Sequence, residues 1–115
     1  MNDKTIVMDV FKNKIIQLIE ESILKMTSKE DCTDITKQLF FIGYIMYRHS
    51  LSLESNRYFI DRLKFIENKH KKEINNLSIS FDYNIMNNID NYLLKLLNYC
   101  NLDKETIIQE IKSYE

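Results

Sequence analysis

The sequence predicts an all-α fold: a compact antiparallel bundle of about five helices with no β-sheet, occupying residues 1–115 as a single helical domain. Three observations carry this. Apolar residues recur three or four positions apart through the long segments of the chain, the period of a helix with one buried face. No segment sustains the period-two alternation of a strand. The chain also holds no Pro and one Gly, so little interrupts a long helix from within.

The first helix is expected from about Lys4 to Met26, with Val7, Phe11, Ile15, Leu18 and Ser22 on one stripe and Ile19, Ile23 and Met26 widening it. Thr27-Ser28 ends it, and Ser28-x-x-Asp31 offers side-chain oxygens to cap the next. The second helix carries two stripes: Ile35, Leu39, Ile42 and Met46, and beside them Phe40, Tyr44 and Tyr47. Apolar on two faces, it is expected to be the central, most buried helix. Gly43 in its middle costs roughly 1 kcal/mol relative to Ala, and a close helix crossing there is the expected compensation.

Ser52 or Ser55 caps a third helix, about Glu54 to Asn76, with Phe59, Leu63, Ile66, His70, Ile74 and Leu77 on its stripe. Asn75-Asn76 and Ser78-Ile79-Ser80 form the next break. A fourth helix, about Phe81 to Cys100, aligns Ile85, Ile89, Tyr92, Leu96 and Tyr99, with Met86, Leu93, Leu97 and Cys100 alongside. Asp103 caps a short fifth helix, and Leu102 and Ile107 have the spacing of a hydrophobic staple across its start.

Composition narrows the classes. Hydrophobic residues make up 44% of the 115, enough for a core, and 16 Lys+Arg against 17 Asp+Glu leave a net charge of −1. That balance excludes a surface uniformly attractive to nucleic acid or anionic membrane. The chain has no Ala and no Trp, and only three Arg (Arg48, Arg57 and Arg62). Residues with GC-rich codons are thus scarce while Ile, Asn, Lys, Tyr and Phe crowd the chain. An AT-rich genome is the expected source, whether a low-GC bacterium, its phages and plasmids, or a large virus. The longest apolar run, Leu39 to Tyr47 broken only by Gly43, is too short for a membrane span. Cys32 and Cys100 fit free thiols in a reducing compartment, so the protein is expected in the cytoplasm of the producing or host cell, without membrane association.

Chemistry is thinly represented. A zinc site from Cys32, Cys100, His49 and His70 lacks the close ligand pairs such sites use, so no metal and no cofactor is expected. His49 ends the second helix, where a cation suits the negative end of the dipole, and His70 reads as a rim position or a point of local fraying. Glu20-Glu21 and Glu30-Asp31 are adjacent pairs whose side chains diverge by about 100° on a helix, which suits a solvated face. There is no nucleophile elbow and no Gly-rich phosphate loop. No catalytic residue is assigned, and the chain is expected not to be an enzyme.

Charge is distributed unevenly. Residues 48–72 hold seven cations against three acids, a local +4, and residues 73–115 hold three against seven, a local −4. On the third helix Arg57, Lys64, Lys71 and Lys72 fall within about 120° of one another, and these four are the candidate partner-binding residues. Surplus aromatic residues (Phe40, Phe41, Tyr44, Tyr47, Tyr58 and Phe65) suit an interface core, and a homodimer is the simplest assembly. The function expected is a small non-enzymatic protein–protein interaction module, an inhibitor or regulator of another macromolecule. A nucleic-acid-binding regulator, or a helical subunit of a nucleoprotein complex using the basic 48–72 segment, is the alternative. Residues 96–108 have a helix-turn-helix rhythm, but their second helix is net acidic where base edges would call for donors.

Overall fold

The computed structural model describes residues 3–49, 51, 57–76 and 85–114, with side chains for 8–49, 51, 57–76 and 92–114. Among them the regular structure is entirely helical: α1 (Asp3–Thr27), α2 (Thr33–Arg48), α3 (Arg57–Lys69), α4 (Lys71–Asn76), α5 (Ile85–Cys100) and α6 (Lys104–Lys112). The third expected helix is thus divided at His70. The division is slight, because the His70 N–H still donates to the Ile66 carbonyl at 3.0 Å and the Ile74 N–H to the His70 carbonyl at 2.9 Å. The Ser52 and Ser55 caps, the break at Ser78–Ser80 and the stripe positions Val7, Leu77, Ile85, Met86 and Ile89 lie outside the described residues or side chains.

The main core gathers Ile15, Leu18, Ile19, Ile23 and Met26 of α1 with Ile35, Leu39 and Ile42 of α2, Phe59, Leu63 and Ile66 of α3, Ile74 of α4, and Tyr92 and Leu96 of α5. α1 packs against α2, α3 and α4. Its buried positions 15, 16, 18, 19, 22, 23 and 26 cover an arc of about 160°, wide enough for several neighbours. The centre is therefore α1, not α2 as the two stripes suggested. α2 buries only its first stripe; Phe40 and Tyr44 are half-buried, and Tyr47 is 82% exposed. Gly43 is exposed and a Cβ there would meet nothing within 4 Å, so no close crossing compensates for it. A smaller cluster of Leu97, Ile107 and Ile111, with Phe40, Tyr44 and Leu102 against it, ties α6 to α2 and α5.

Helix ends are built without glycine. After α1, Lys29 takes the left-handed conformation (φ 57°), the Glu30 N–H reaches the Lys25 carbonyl at 2.8 Å, and the Lys29 N–H reaches Met26 at 3.1 Å. After α5, Asn101 (φ 55°) does the same, with Leu102 donating to Leu97 at 2.9 Å and Asn101 to Asn98 at 3.2 Å. Asp103 caps α6 as expected, accepting from the Thr106 N–H at 3.1 Å. The α2 start departs from expectation. Ser28 stays in the terminal turn of α1, donating its N–H to the Leu24 carbonyl at 3.1 Å, and Asp31 accepts from the Thr33 N–H and hydroxyl at 3.1 and 2.6 Å. Those two donors hold the Asp31 carboxyl below its ordinary range.

If α1 is the centre, Ile23→Ala should lower the urea-unfolding free energy by about 2–5 kcal/mol, the usual penalty for a buried large-to-small change. In the same assay Gly43→Ala should raise it by about 1 kcal/mol, since the added methyl enters open space and improves helix propensity.

Candidate functional site

Two surfaces stand out, and the first is the expected one. The helix through residues 57–76 turns Phe59, Leu63, Ile66, His70 and Ile74 inward. Arg57, Lys71 and Lys72 are exposed and Lys64 half-buried, all four on the outward arc opposite that stripe. Tyr58 and Phe65, each 52% exposed, border the same arc. Both rings carry a cation: the Lys12 ammonium sits 4.8 Å from the Tyr58 centroid and the Arg62 guanidinium 4.9 Å from that of Phe65. Lys12 is steered in turn by Asp9 at 2.9 Å.

His70 marks the inner edge of this surface, and here sequence expectation fails. The imidazole is buried, and its Nε2–H donates to Glu20 Oε2 at 2.7 Å; Lys69 Nζ approaches the same oxygen at 3.2 Å. Glu20 is therefore a partner to α3 and its following turn, not part of a solvated acidic pair. Its carboxyl is held below the ordinary value of 4.5, first by the His70 hydrogen bond, against an opposing push from burial, with Lys69 assisting. His70's place on the apolar stripe was the available signal, because a polar group at a core position needs a partner.

The second surface is a trough between α2 and α6. One hollow of about 410 Å³ and another of about 450 Å³ share Phe41, Ile111 and Tyr114 as walls. Ile42 and Ile107 floor the first, and Tyr44 and Ile45 line the second. Among the described residues the edges carry Lys14, Lys37, Arg48 and His49 against one acid, Glu110, which bridges to Lys37 at 3.2 Å. Phe41 is 42% exposed and Tyr114 77%. Of the aromatic surplus, the structure thus brings Phe41 and Tyr44 to the trough, Tyr58 and Phe65 to the basic arc, and Phe40 to the small core cluster.

The cysteines, 68 positions apart in sequence, come near one another at the α1–α2–α5 junction. Cys32 is fully buried with Sγ 3.9 Å from the Ser22 carbonyl, and half-buried Cys100 places Sγ 3.6 Å from Thr36 Oγ1. The histidines do not join them. His49 follows the 16-residue α2 that Cys32 precedes, a separation of about 26 Å, so the four-ligand zinc set cannot assemble. Among the described residues no three metal-binding side chains converge, and no helix is long and apolar enough to cross a membrane. Residues 96–108 form two helices about a turn; α6 buries Ile107 and Ile111 and exposes Lys104 and Gln109 beside Glu105 and Glu110. Family models, curated proteins and solved structures return no match to this chain.

Two solution measurements test this geometry. The Glu20 carboxylate, with its pKa depressed on folding, contributes stability that is complete above pH 4.5 and fades as pH falls through the folded-state value. Glu20→Gln should therefore unfold about 1 kcal/mol more easily near neutral pH, with the gap closing as pH falls below 4.5. Burial, aided by neighbouring Cys100, pushes the Cys32 thiol up to about 11. Native alkylation near pH 8 should therefore label Cys100 at least about tenfold faster than Cys32, with both thiols labelled after unfolding.

Proposed function

We propose that the chain is a non-enzymatic protein–protein interaction module, a small regulator or inhibitor encoded by an AT-rich phage, plasmid, virus or low-GC bacterium and acting in the cytoplasm. The observation that carries this reading is the outward arc of residues 57–76, where Arg57, Lys64, Lys71 and Lys72 stand beside half-exposed Tyr58 and Phe65. Aromatic rings and Arg are the side chains that dominate protein interfaces. Cations over both rings restrict them in advance, which lowers the ordering cost of docking. Four cations on one arc favour an acidic partner surface and speed its approach. The same cations favour a second reading, a phosphate backbone laid along the helix.

The triple change Lys64→Glu, Lys71→Glu and Lys72→Glu should abolish partner binding while the helical circular-dichroism signal and unfolding midpoint stay close to wild type. A folded triple variant with full activity would make the arc an idle solvated face. Salt separates the readings. Nucleic-acid binding should weaken with a log–log slope near −0.9 per phosphate contacted, whereas an interface anchored by Tyr58 and Phe65 should respond less.

A further inference from the structure

From the trough between α2 and α6 we infer a second, separate docking site whose occupant is an amphipathic helix of another protein with acidic residues flanking its apolar stripe. Shape is the first argument. The two hollows join through Phe41, Ile111 and Tyr114 and run beside α2 from Lys37 to Arg48. Eleven residue steps at the helical rise give about 17 Å, the length of three turns of a docked helix. The floor is Ile42 and Ile107, while Phe41, Ile111 and Tyr114 form the walls, an arrangement that takes apolar side chains spaced three and four apart.

Charge selects among helices. Lys14 and Lys37 stand at one end of the trough and Arg48 and His49 at the other, and among the described residues the one acid on its edge, Glu110, is bridged to Lys37. Among the described residues the rim carries Lys14, Lys37 and Arg48 against Glu110, a net positive charge although the whole chain is −1. An apolar helix with acids on both flanks matches floor and rim together, and one with basic flanks meets repulsion at both ends. The site shares no residue with the basic arc of α3 and α4, so each can fail without the other.

The test uses the full chain and synthetic helical peptides of about fifteen residues, apolar at alternating third and fourth positions. One peptide has Glu flanks, one has Lys flanks, and one is a scrambled version of the first. Fluorescence anisotropy should show the Glu-flanked peptide binding at least about tenfold tighter than either control. Phe41→Ala with Tyr114→Ala should weaken it about tenfold or more, and Lys14→Glu with Arg48→Glu should remove or invert the preference for acidic flanks. Phe41 and Tyr114 are exposed, so their truncation leaves the core intact, and Tyr114→Ser alone is the milder check. Equal binding of Glu- and Lys-flanked peptides, or no binding of either, overturns the inference. So does a dimer in sedimentation velocity that Phe41→Ala with Tyr114→Ala dissolves, because the trough then belongs to a second copy.

Discussion

Removal of one broad apolar arc of α1 from water is the interaction on which the remaining structure depends. Leu18, Ile19 and Ile23 are almost completely buried, and each contributes about 2 kcal/mol by transfer from water. A helix lacking Ala cannot rely on local propensity, so α1 is helical because α2, α3 and α4 cover it. Those neighbours in turn have α1 as a shared floor. The α3–α4 segment buries one stripe there, which fixes the opposite arc as the one that faces solvent.

Apolar burial alone leaves helices free to slide or rotate by small amounts. Two polar pairs remove that freedom. Ser22 Oγ donates to the Ile19 carbonyl at 2.7 Å and accepts from the Tyr92 hydroxyl, a bond between α1 and α5 made entirely inside the core. Burial raises the Tyr92 phenol well above its ordinary range, against the smaller effect of Ser22, so it stays a neutral donor at any physiological pH. His70 and Glu20 do the equivalent work between α1 and the α3–α4 turn. Any shift of register would leave a buried hydroxyl or imidazole without a partner, which is costlier than a lost apolar contact.

Much of the architecture was legible in the residue order. The period of the apolar stripes located the helices, and most of their described members are buried, from Ile15 and Leu18 to Phe59, Leu63 and Leu96; Tyr99 is an exception, exposed with its hydroxyl donating to the Glu30 carbonyl. Asp103 as cap and Leu102 against Ile107 followed from spacing within one turn. What escaped depends on pairs far apart in sequence. Ser22 and His70 sit at stripe positions, which announces that each has a partner; that the partners are Tyr92 and Glu20 is decided by how helices cross. The rank of α2 was misread because a second apolar stripe can face a trough as well as a core, and periodicity treats the two alike. The outward position of Arg57, Lys64, Lys71 and Lys72 was readable because α3 and α4 continue one helical period across His70; the trough was not, because its walls come from α2 and α6.

The turn between α5 and α6 is held by three independent devices in three consecutive residues. Asn101 supplies the left-handed bend, Leu102 closes the backbone bond to Leu97 and packs in that cluster, and Asp103 caps the helix that follows. Such a turn acts as a weld, not a hinge. α6 is thereby tied to α5, and Ile107 and Ile111 seat it against Leu97, Phe40 and Tyr44, which makes the Ile111 side of the trough part of the packed bundle. A molecule entering there meets an inner side set in advance by that packing and an outer wall, Tyr114, that stands 77% exposed beyond the end of α6.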